Sequence, residues 1–298
     1  MILFAPLQGY TDAAYRRIHH AVCGGIDEYY SPFVRWEKEG VRRKDLRDID
    51  PKNNEGTPTV PQVIAKSRDE FARLCDTVQS VGWRRIDLNM GCPFPMQTHA
   101  GRGSGLLPHP DIVADIIAEM QTRPDVTFSV KMRLGQDSTG ESMTLLPILN
   151  EAPLTHITLH PRLGCQQYKG RPDLDAFDLF YHACQKPLIY NGDITTREQI
   201  TDIRQRYPQL KGFMLGRGLL ARPWLFSDKE PHSAIQEMHH LIYQYACQTL
   251  QGETQILARL HAFWEYSDTL LPKKTYKQIM KSNTLHSYMA AIRLSNEQ

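Results

Sequence analysis

The chain alternates between short apolar or β-branched runs and longer stretches whose apolar residues recur at helical spacing. Eight runs have strand character: ILFAP (2–6), EYYSPFV (28–34), PTVPQVI (58–64), RRIDLNM (84–90), VTFSVKMRL (126–134), THITLH (155–160), KPLIYN (186–191) and KGFMLG (211–216). Several are continuously apolar, the pattern of strands buried on both faces. Between the runs, Ser67 with Glu70 predicts a capping box, followed by Phe71, Leu74, Val78 and Val81 at helical spacing. Ile112, Ile116 and Met120 repeat that spacing after Pro110-Asp111, and Thr195 with Glu198 predicts another cap ahead of Ile200 and Ile203. Eight such alternations predict an α/β fold, a (β/α)8 TIM barrel. An open doubly wound sheet is the alternative, but its glycine fingerprint is missing after the first strand.

The strand pattern stops near Phe226. SDKEPHS reads as a polar linker, and residues 232–298 read as helix, interrupted near Gly252 and Pro272. The expected organisation is therefore a barrel domain over 1–228 and a small all-helical domain over 232–298.

Composition narrows the classes. A chain of 298 residues that is 41% hydrophobic can bury a sizeable core. Its 35 Lys and Arg against 33 Asp and Glu leave +2, so the overall balance announces no nucleic-acid partner and any basic surface must be local. One such surface lies in the tail. From Thr269 to Asn296 there is no acidic residue, and Lys274, Lys277 and Lys281 fall on one helical face. An ordinary solvated face is the other reading. The six cysteines form no CxxC pair, which points to a reduced, cytoplasmic protein with no structural metal site. The opening MILFAPLQGYTD lacks a basic n-region and no later run reaches spanning length, so neither a signal peptide nor a membrane partner is expected.

In a barrel of this type the site forms where strands end. Those ends carry Pro6-Leu7-Gln8, Gln62, Asn89 followed by Cys92, Lys131 and Arg133, His160, Asn191-Gly192-Asp193 and Gly216-Arg217-Gly218. One polar residue at a strand end is ordinary; so many at one common end argue for a site. YNGD and LGRG close the seventh and eighth runs, where barrels often bind phosphate through loop amides, and Arg217 can add a charge-assisted contact. Cys92, between Gly91 and Pro93, is either a reactive thiol over a pocket or a small buried side chain in a tight turn. Lys131 is either a site residue or a strand-end lysine reaching for water.

Taken together, these motifs resemble those of the tRNA-dihydrouridine synthases, flavin-dependent enzymes that reduce uridine in transfer RNA. The signature N-x-G-C-P stands at Asn89 to Pro93, followed by GRGSGLL; V-K-x-R-L-G runs from Val130 to Gly135. HPRLGCQQY spans His160 to Tyr168, and the NGD and GRG segments follow in order. The order matches across residues 2–226, and the helical tail fits the family's second domain.

The resemblance implies FMN bound by Pro6, Leu7, Gln8, Gln62, Lys131, His160, Asn191, Gly192, Asp193, Gly216 and Arg217, with NADPH as reductant. It places Asn89, Arg133 and Tyr168 at the target uracil and Cys92 as the acid that protonates C5 while a hydride reaches C6. It implies tRNA as partner, with Lys274, Lys277 and Lys281 as contacts, and a monomeric chain. YYSPFVRW (29–36) is similar to the FVR segment of the bacterial subgroup acting on the D-loop at position 16. Departures are Leu7 for the usual methionine, HPRL for HGRT, and Pro95 and Gln97 where lysine and valine are common. The alternatives are an FMN barrel reducing a free pyrimidine or enone, which needs no basic appendage, and a non-catalytic RNA-binding relative, which needs no flavin.

Overall fold

The computed structural model describes residues 1–268 and 270–296. Thr269 and the last two residues of the expected helical domain, Glu297 and Gln298, lie outside the described residues. Among the described residues there are eleven strand segments: β1 (Ile2–Phe4), β2 (Glu28–Tyr30), β3 (Val34–Glu37), β4 (Gly40–Val41), β5 (Thr59–Val60), β6 (Gln62–Ile64), β7 (Arg85–Met90), β8 (Thr127–Gly135), β9 (Leu154–Leu163), β10 (Leu188–Tyr190) and β11 (Gly212–Leu215). They hydrogen-bond in the order β4-β3-β6-β7-β8-β9-β10-β11-β1-β2-β5.

The two ends of that order meet in the chain, because only Pro61 separates β5 from β6. Val60 on one side of Pro61 pairs with Tyr30, and Gln62 on the other side pairs with Asp87, so this one stretch closes the ring of parallel strands. Proline offers no amide to the ladder, which is why the run 58–64 divides here. The Gln62 amide finds the Ser31 hydroxyl instead, at 3.1 Å. The run 28–34 also divides, at Ser31-Pro32-Phe33, and its last residue, Val34, begins a separate strand. That strand, β3, continues to Glu37 and turns back as the antiparallel β4 through Gly40 at φ 119°, a hairpin the sequence reading left unassigned. The eight expected runs are therefore all strand-forming, but two of them each supply two segments.

The barrel interior differs from one side to the other. On β1, β2, β5, β10 and β11 the cluster of Leu3, Ala5, Tyr30, Val60, Ile189 and Met214 is apolar. On β7, β8 and β9 the residues alternate, and both faces are buried. Ile86, Leu88, Phe128, Val130, Ile157 and Leu159 join the core formed with the outer helices, including Phe71, Leu74 and Ile116. The intervening Asp87, Asn89, Ser129, Arg133, His156, Thr158 and His160 are buried polar residues. They face inward: His156 on β9 meets the Tyr30 hydroxyl of β2 at 3.0 Å, although those strands are not neighbours in the sheet.

Among the helices, Arg68–Ser80 buries Phe71, Leu74 and Val78, with Ser67 capping the Glu70 amide at 3.3 Å. The Glu70 carboxylate accepts from the Lys66 amide rather than from Ser67, so only half of the expected box forms. The next expected cap is displaced by one residue. Thr196, not Thr195, caps Arg197–Arg206, and Gln199, not Glu198, completes a reciprocal box. Gln199 reaches the backbone ahead of the helix, while Thr195 lies one residue outside it.

The tail forms helices Pro231–Thr249, Glu253–Trp264, Lys273–Met280 and Leu285–Asn296, so it breaks once more than expected, after Met280. Its core is continuous with that of the barrel. Met238 touches Cys23 (Sγ to Sδ 3.5 Å), and Arg259 pairs at 2.7 Å with Asp12, the cap of helix Ala13–Val22. Inside the tail the Tyr288 hydroxyl accepts from Trp264 Nε1 at 2.8 Å and is hydrogen-bonded to His239 Nε2 at 2.7 Å. No helix among the described residues is long and apolar enough to cross a membrane.

The displaced cap is checked by two single variants. Thr196→Ala is expected to cost about 1 kcal/mol, a fall in Tm of roughly 2–4 °C for a chain of this size. Thr195→Ala should stay within about 0.5 kcal/mol. Thermal melting that ranks the two the other way would move the cap back to Thr195.

Candidate active site

A cavity of about 700 Å³ opens at the C-terminal ends of the barrel strands. It is lined by Pro6, Leu7, Gln8, Asn89, Cys92, Lys131, Arg133, His160, Tyr168, Asn191, Gly192, Asp193, Gly216 and Arg217, all expected from the sequence. Gln62 is not among the lining residues. It is fully buried, two residues before β6 ends, and sits one layer below. Lys274, Lys277 and Lys281 are exposed on the tail and do not line the cavity. Lys274 and Lys277 belong to helix Lys273–Met280, whereas Lys281 is its C-cap.

The cysteine loop is held from beneath by a relay of hydrogen bonds. The buried Asp87 carboxylate accepts from Ser129 Oγ at 2.5 Å and from Gln62 Nε2 at 2.7 Å. Gln62 Oε1 then accepts from Asn89 Nδ2 at 2.7 Å, and Asn89 Oδ1 accepts from the amides of Gly91 (3.0 Å) and Cys92 (2.8 Å). Burial pushes the Asp87 carboxyl up to about 6, with the two donated hydrogen bonds holding it down from going further. The second glycine loop supports Cys92 from behind. Ser104 donates to the Cys92 carbonyl through its amide and its hydroxyl, both at 3.0 Å. Gly103 lies at φ 61°, and a Cβ there would come 2.5 Å from that same carbonyl oxygen, so no larger residue fits.

Burial raises the Cys92 thiol above its ordinary value, against the pull of the Phe94 amide, Arg133 and Lys131, so Cys92 carries its proton at neutral pH. Arg133 fastens the loop to the segment after β9. Its Nε donates to Gly91 O at 3.0 Å, and its Nη1 donates to Leu163 O (2.7 Å) and Gln167 O (2.6 Å). Gln167 adopts φ 52°, an uncommon conformation for a residue other than glycine, directly before Tyr168. Tyr168 reaches the cavity with the guanidiniums of Arg217 and Arg133 at 4.7 and 5.4 Å from its ring centre.

Arg162, which the sequence reading did not select, organises the opposite wall. It is 1% exposed, donates to both Asp193 oxygens (2.9 and 2.5 Å) and to Gly170 O, and meets His160 Nε2 at 2.9 Å. A guanidinium can only donate, so His160 Nε2 accepts and the ring proton sits on Nδ1. Burial holds His160 well below its ordinary value, and the surrounding Arg133, Lys131, Arg162 and Arg217 add to this; the ring is neutral. Burial alone would raise Asp193, but Arg162 and Arg217 (3.0 Å) outweigh it and keep the carboxyl below its usual range.

The half-buried Lys131 borders the cavity, and its side chain has no hydrogen-bond partner among the described residues. Burial lowers it to about 8, with Arg133 adding to the shift and Asp87 opposing it. Pro32, Phe33, Arg35, Arg42, Lys44, Phe94 and Met96 also line the mouth. Six cationic side chains (Arg35, Arg42, Lys44, Lys131, Arg133 and Arg217) thus face one carboxylate, Asp193. A protonated thiol, a neutral imidazole donor and a half-buried ammonium suit an anionic ligand and a proton transfer.

The sequence model of the family described as dihydrouridine synthase matches residues 3–298. This chain belongs to the dihydrouridine synthase family. It is 27% identical over 284 residues to a probable tRNA-dihydrouridine synthase of Rickettsia bellii (strain RML369-C), covering 90% of this chain and 86% of that protein. It is likewise 27% identical over 301 residues to tRNA-dihydrouridine synthase B of Pasteurella multocida (strain Pm70), covering 95% and 88%. Among solved structures, a morphinone reductase mutant in complex with tetrahydroNAD aligns with a TM-score of 0.53 at 8% identity, over 78% of this chain and 89% of that one. A variant of NCR from Zymomonas mobilis aligns with a TM-score of 0.52 at 10% identity, over 80% and 86%. At such identities the likeness is one of fold, here the barrel of this dihydrouridine synthase family member.

Lys131 gives a stability test. Its folded value of about 8 lies below the ordinary 10.5, so the unfolded chain holds the proton more tightly and stability rises with pH between those two values. Lys131→Met in protein stripped of bound ligand should therefore gain about 1–2 kcal/mol at pH 7, and the gain should vanish above pH ~10.5. Denaturant melts at both pH values check this; a loss of stability at pH 7 would mean the charge is already compensated within the protein.

Proposed function

We propose that this protein is a cytoplasmic, monomeric, flavin-dependent tRNA-dihydrouridine synthase that uses NADPH and reduces the C5–C6 bond of a D-loop uridine. The observation that carries the reading is the protonated Cys92 thiol, on a loop fixed by Asn89, at the same cavity as Lys131 and neutral His160. Membership of the dihydrouridine synthase family supports the substrate class.

The residues fit FMN. A volume of about 700 Å³ lies within the range of small-molecule sites. Pro6 and Leu7 offer an apolar wall, and a Cβ on Gly216 would lie 3.6 Å from Leu7, filling space that glycine leaves open. Arg162 and Arg217 against Asp193 leave one net positive charge beside Asn191 and Gly192, which suits the phosphate. Gln8, Lys131 and the Nδ1–H of His160 are the polar groups on the remaining walls, and Gln62 acts from below by orienting Asn89. When bound, the flavin supplies the hydride to uracil C6, which no side chain can do.

The chain's own residues do the rest. Cys92 holds a proton at Sγ and gives it to C5 as general acid. Asn89 keeps that sulfur in place, and Arg133, through its Nη2, and Tyr168 flank the uracil opposite it. The uridine must be turned out of the RNA fold to enter. Phe33 and Arg35 of the FVR segment line the mouth, which supports position 16 as the target. The helical tail from residue 232 serves as the tRNA-binding domain, with Lys274, Lys277 and Lys281 exposed and carrying no ion pair among the described residues.

Cys92→Ala should retain flavin and melting temperature while dihydrouridine formed per enzyme falls roughly 10²- to 10⁴-fold. Serine, a far weaker acid, should restore little. Nucleoside analysis of the tRNA reads the outcome, and a wild-type yield from folded, yellow Cys92→Ala protein would remove the acid role. For the tail, changing Lys274, Lys277 and Lys281 to Glu should weaken tRNA binding and flatten its salt dependence by about 0.9 in log–log slope per lost phosphate contact. An unchanged slope in filter-binding titrations would make this face ordinary solvated surface.

A further inference from the structure

Five large hydrophobic side chains are exposed among the described residues: Phe94 (55%), Met96 (73%), Met143 (36%), Tyr168 (40%) and Leu179 (65%). Three of the five, Phe94, Met96 and Tyr168, border one cavity, although its mouth is otherwise cationic. Tyr168 is accounted for by the two guanidiniums at its ring. The Phe94 ring has no ring or guanidinium partner among the described residues, and Met96 meets only Arg35 Nη1, at 3.7 Å from its sulfur.

Their placement is fixed rather than incidental. Phe94 is the N-cap of the turn of helix Pro95–Thr98, and its carbonyl accepts from the amides of Gln97 (2.8 Å) and Thr98 (3.1 Å). Cys92, two residues earlier, is buried while Phe94 is exposed, so one loop sends its thiol into the cavity and its aromatic ring outward at the lip. Exposed apolar surface in such a place marks something that covers it. At the rim Arg35 pairs with Glu37 at 2.5 Å and Arg42 with Asp45 at 2.8 Å, while Lys44 carries no ion pair among the described residues. Lys44, with Arg133 and Lys131 deeper in the cavity, suits a partner that combines flat apolar faces with phosphates. A nucleic acid has both.

We propose that Phe94, backed by Met96, is an apolar wedge on which a base neighbouring the extruded uridine stacks. The proposal rests on the reading of the protein as a tRNA-dihydrouridine synthase. Turning a nucleotide out of a fold breaks its stacking on both neighbours, and an inserted apolar side chain replaces part of what is lost. Cys92 and Phe94 lie two residues apart on one loop, so the wedge and the acid arrive at the RNA together.

The test is a two-way cycle on the holoenzyme. Dihydrouridine formation is measured for wild type, Phe94→Ala and Phe94→Tyr on intact tRNA and on tRNAs carrying an abasic nucleotide 5′ or 3′ of the target. Phe94→Ala should lower kcat/KM on intact tRNA by about 10- to 100-fold, the scale of one base–aromatic stack, with flavin content and Tm unchanged, and Phe94→Tyr should recover it. An abasic neighbour on one side should lower wild type similarly and make Phe94→Ala no worse. If the losses multiply on both abasic tRNAs, Phe94 acts through loop conformation and the wedge is overturned. It is equally overturned if sedimentation shows a wild-type dimer that Phe94→Ala dissociates, since the patch then serves a second copy. A wild-type enzyme that forms no dihydrouridine at all refutes the functional reading itself, and with it the wedge.

Discussion

A buried carboxylate sets the direction of every hydrogen bond beneath the cysteine loop. Ionised Asp87 can only accept, so Gln62 must present its amide nitrogen to it and its oxygen to Asn89. Asn89 must then present its nitrogen to Gln62, which leaves its oxygen for the amides of Gly91 and Cys92. Reversing Gln62 would put like groups face to face at two points, and reversing Asn89 at three, at a cost of about 1–3 kcal/mol for each buried group left unpaired. The loop's path is therefore decided two layers below it, by Asp87 and Gln62, which do not line the cavity themselves.

That relay exists because the barrel interior is polar on one side. The strands pair so that inward residues fall into rows: Gln62 with Asp87 and Ser129, Asn89 with Lys131 and Thr158, Arg133 with His160. The first row is fully hydrogen-bonded, the second carries a lysine with no hydrogen-bond partner, and the third opens on the cavity. Burial is thus tolerated at the bottom by pairing and left unresolved toward the top. On the other side, Leu3, Val60, Ile189 and Met214 fill the interior with apolar atoms and keep water from the relay.

Much of this is legible in the sequence, because residues that end parallel strands are marked by a change from apolar to polar. Pro6-Leu7-Gln8, Lys131, His160, Asn191-Gly192-Asp193 and Gly216-Arg217 all reach the cavity as the strand ends predict. Gln62 occupies the same kind of position in its run, yet β6 extends two residues past it and sinks it by one layer. No local pattern separates the two cases. The hairpin of β3 and β4 was hidden because VRWEKEGV alternates charge with apolar residues at an exposed edge, a weak strand signal. Arg162 was missed for another reason. A buried arginine is defined by its acceptors, and those of Arg162 lie 31 residues away at Asp193 and 8 away at Gly170.

The charge balance at the cavity completes the picture. Arg133, Arg162, Arg217 and Lys131 crowd one end of the barrel with Asp193 as the counter-charge between two of the arginines. Arginines keep their protons at neutral pH, and their field adds to burial, the larger cause, in favouring the neutral form of the members that can lose theirs. His160 does so fully and stands neutral; Lys131, at about 8, does so in part. An anion entering the cavity offsets the arginine part of both shifts and leaves the larger part, burial, in place. The neutral His160, already turned by Arg162 to offer Nδ1–H, is thus a donor before any ligand arrives.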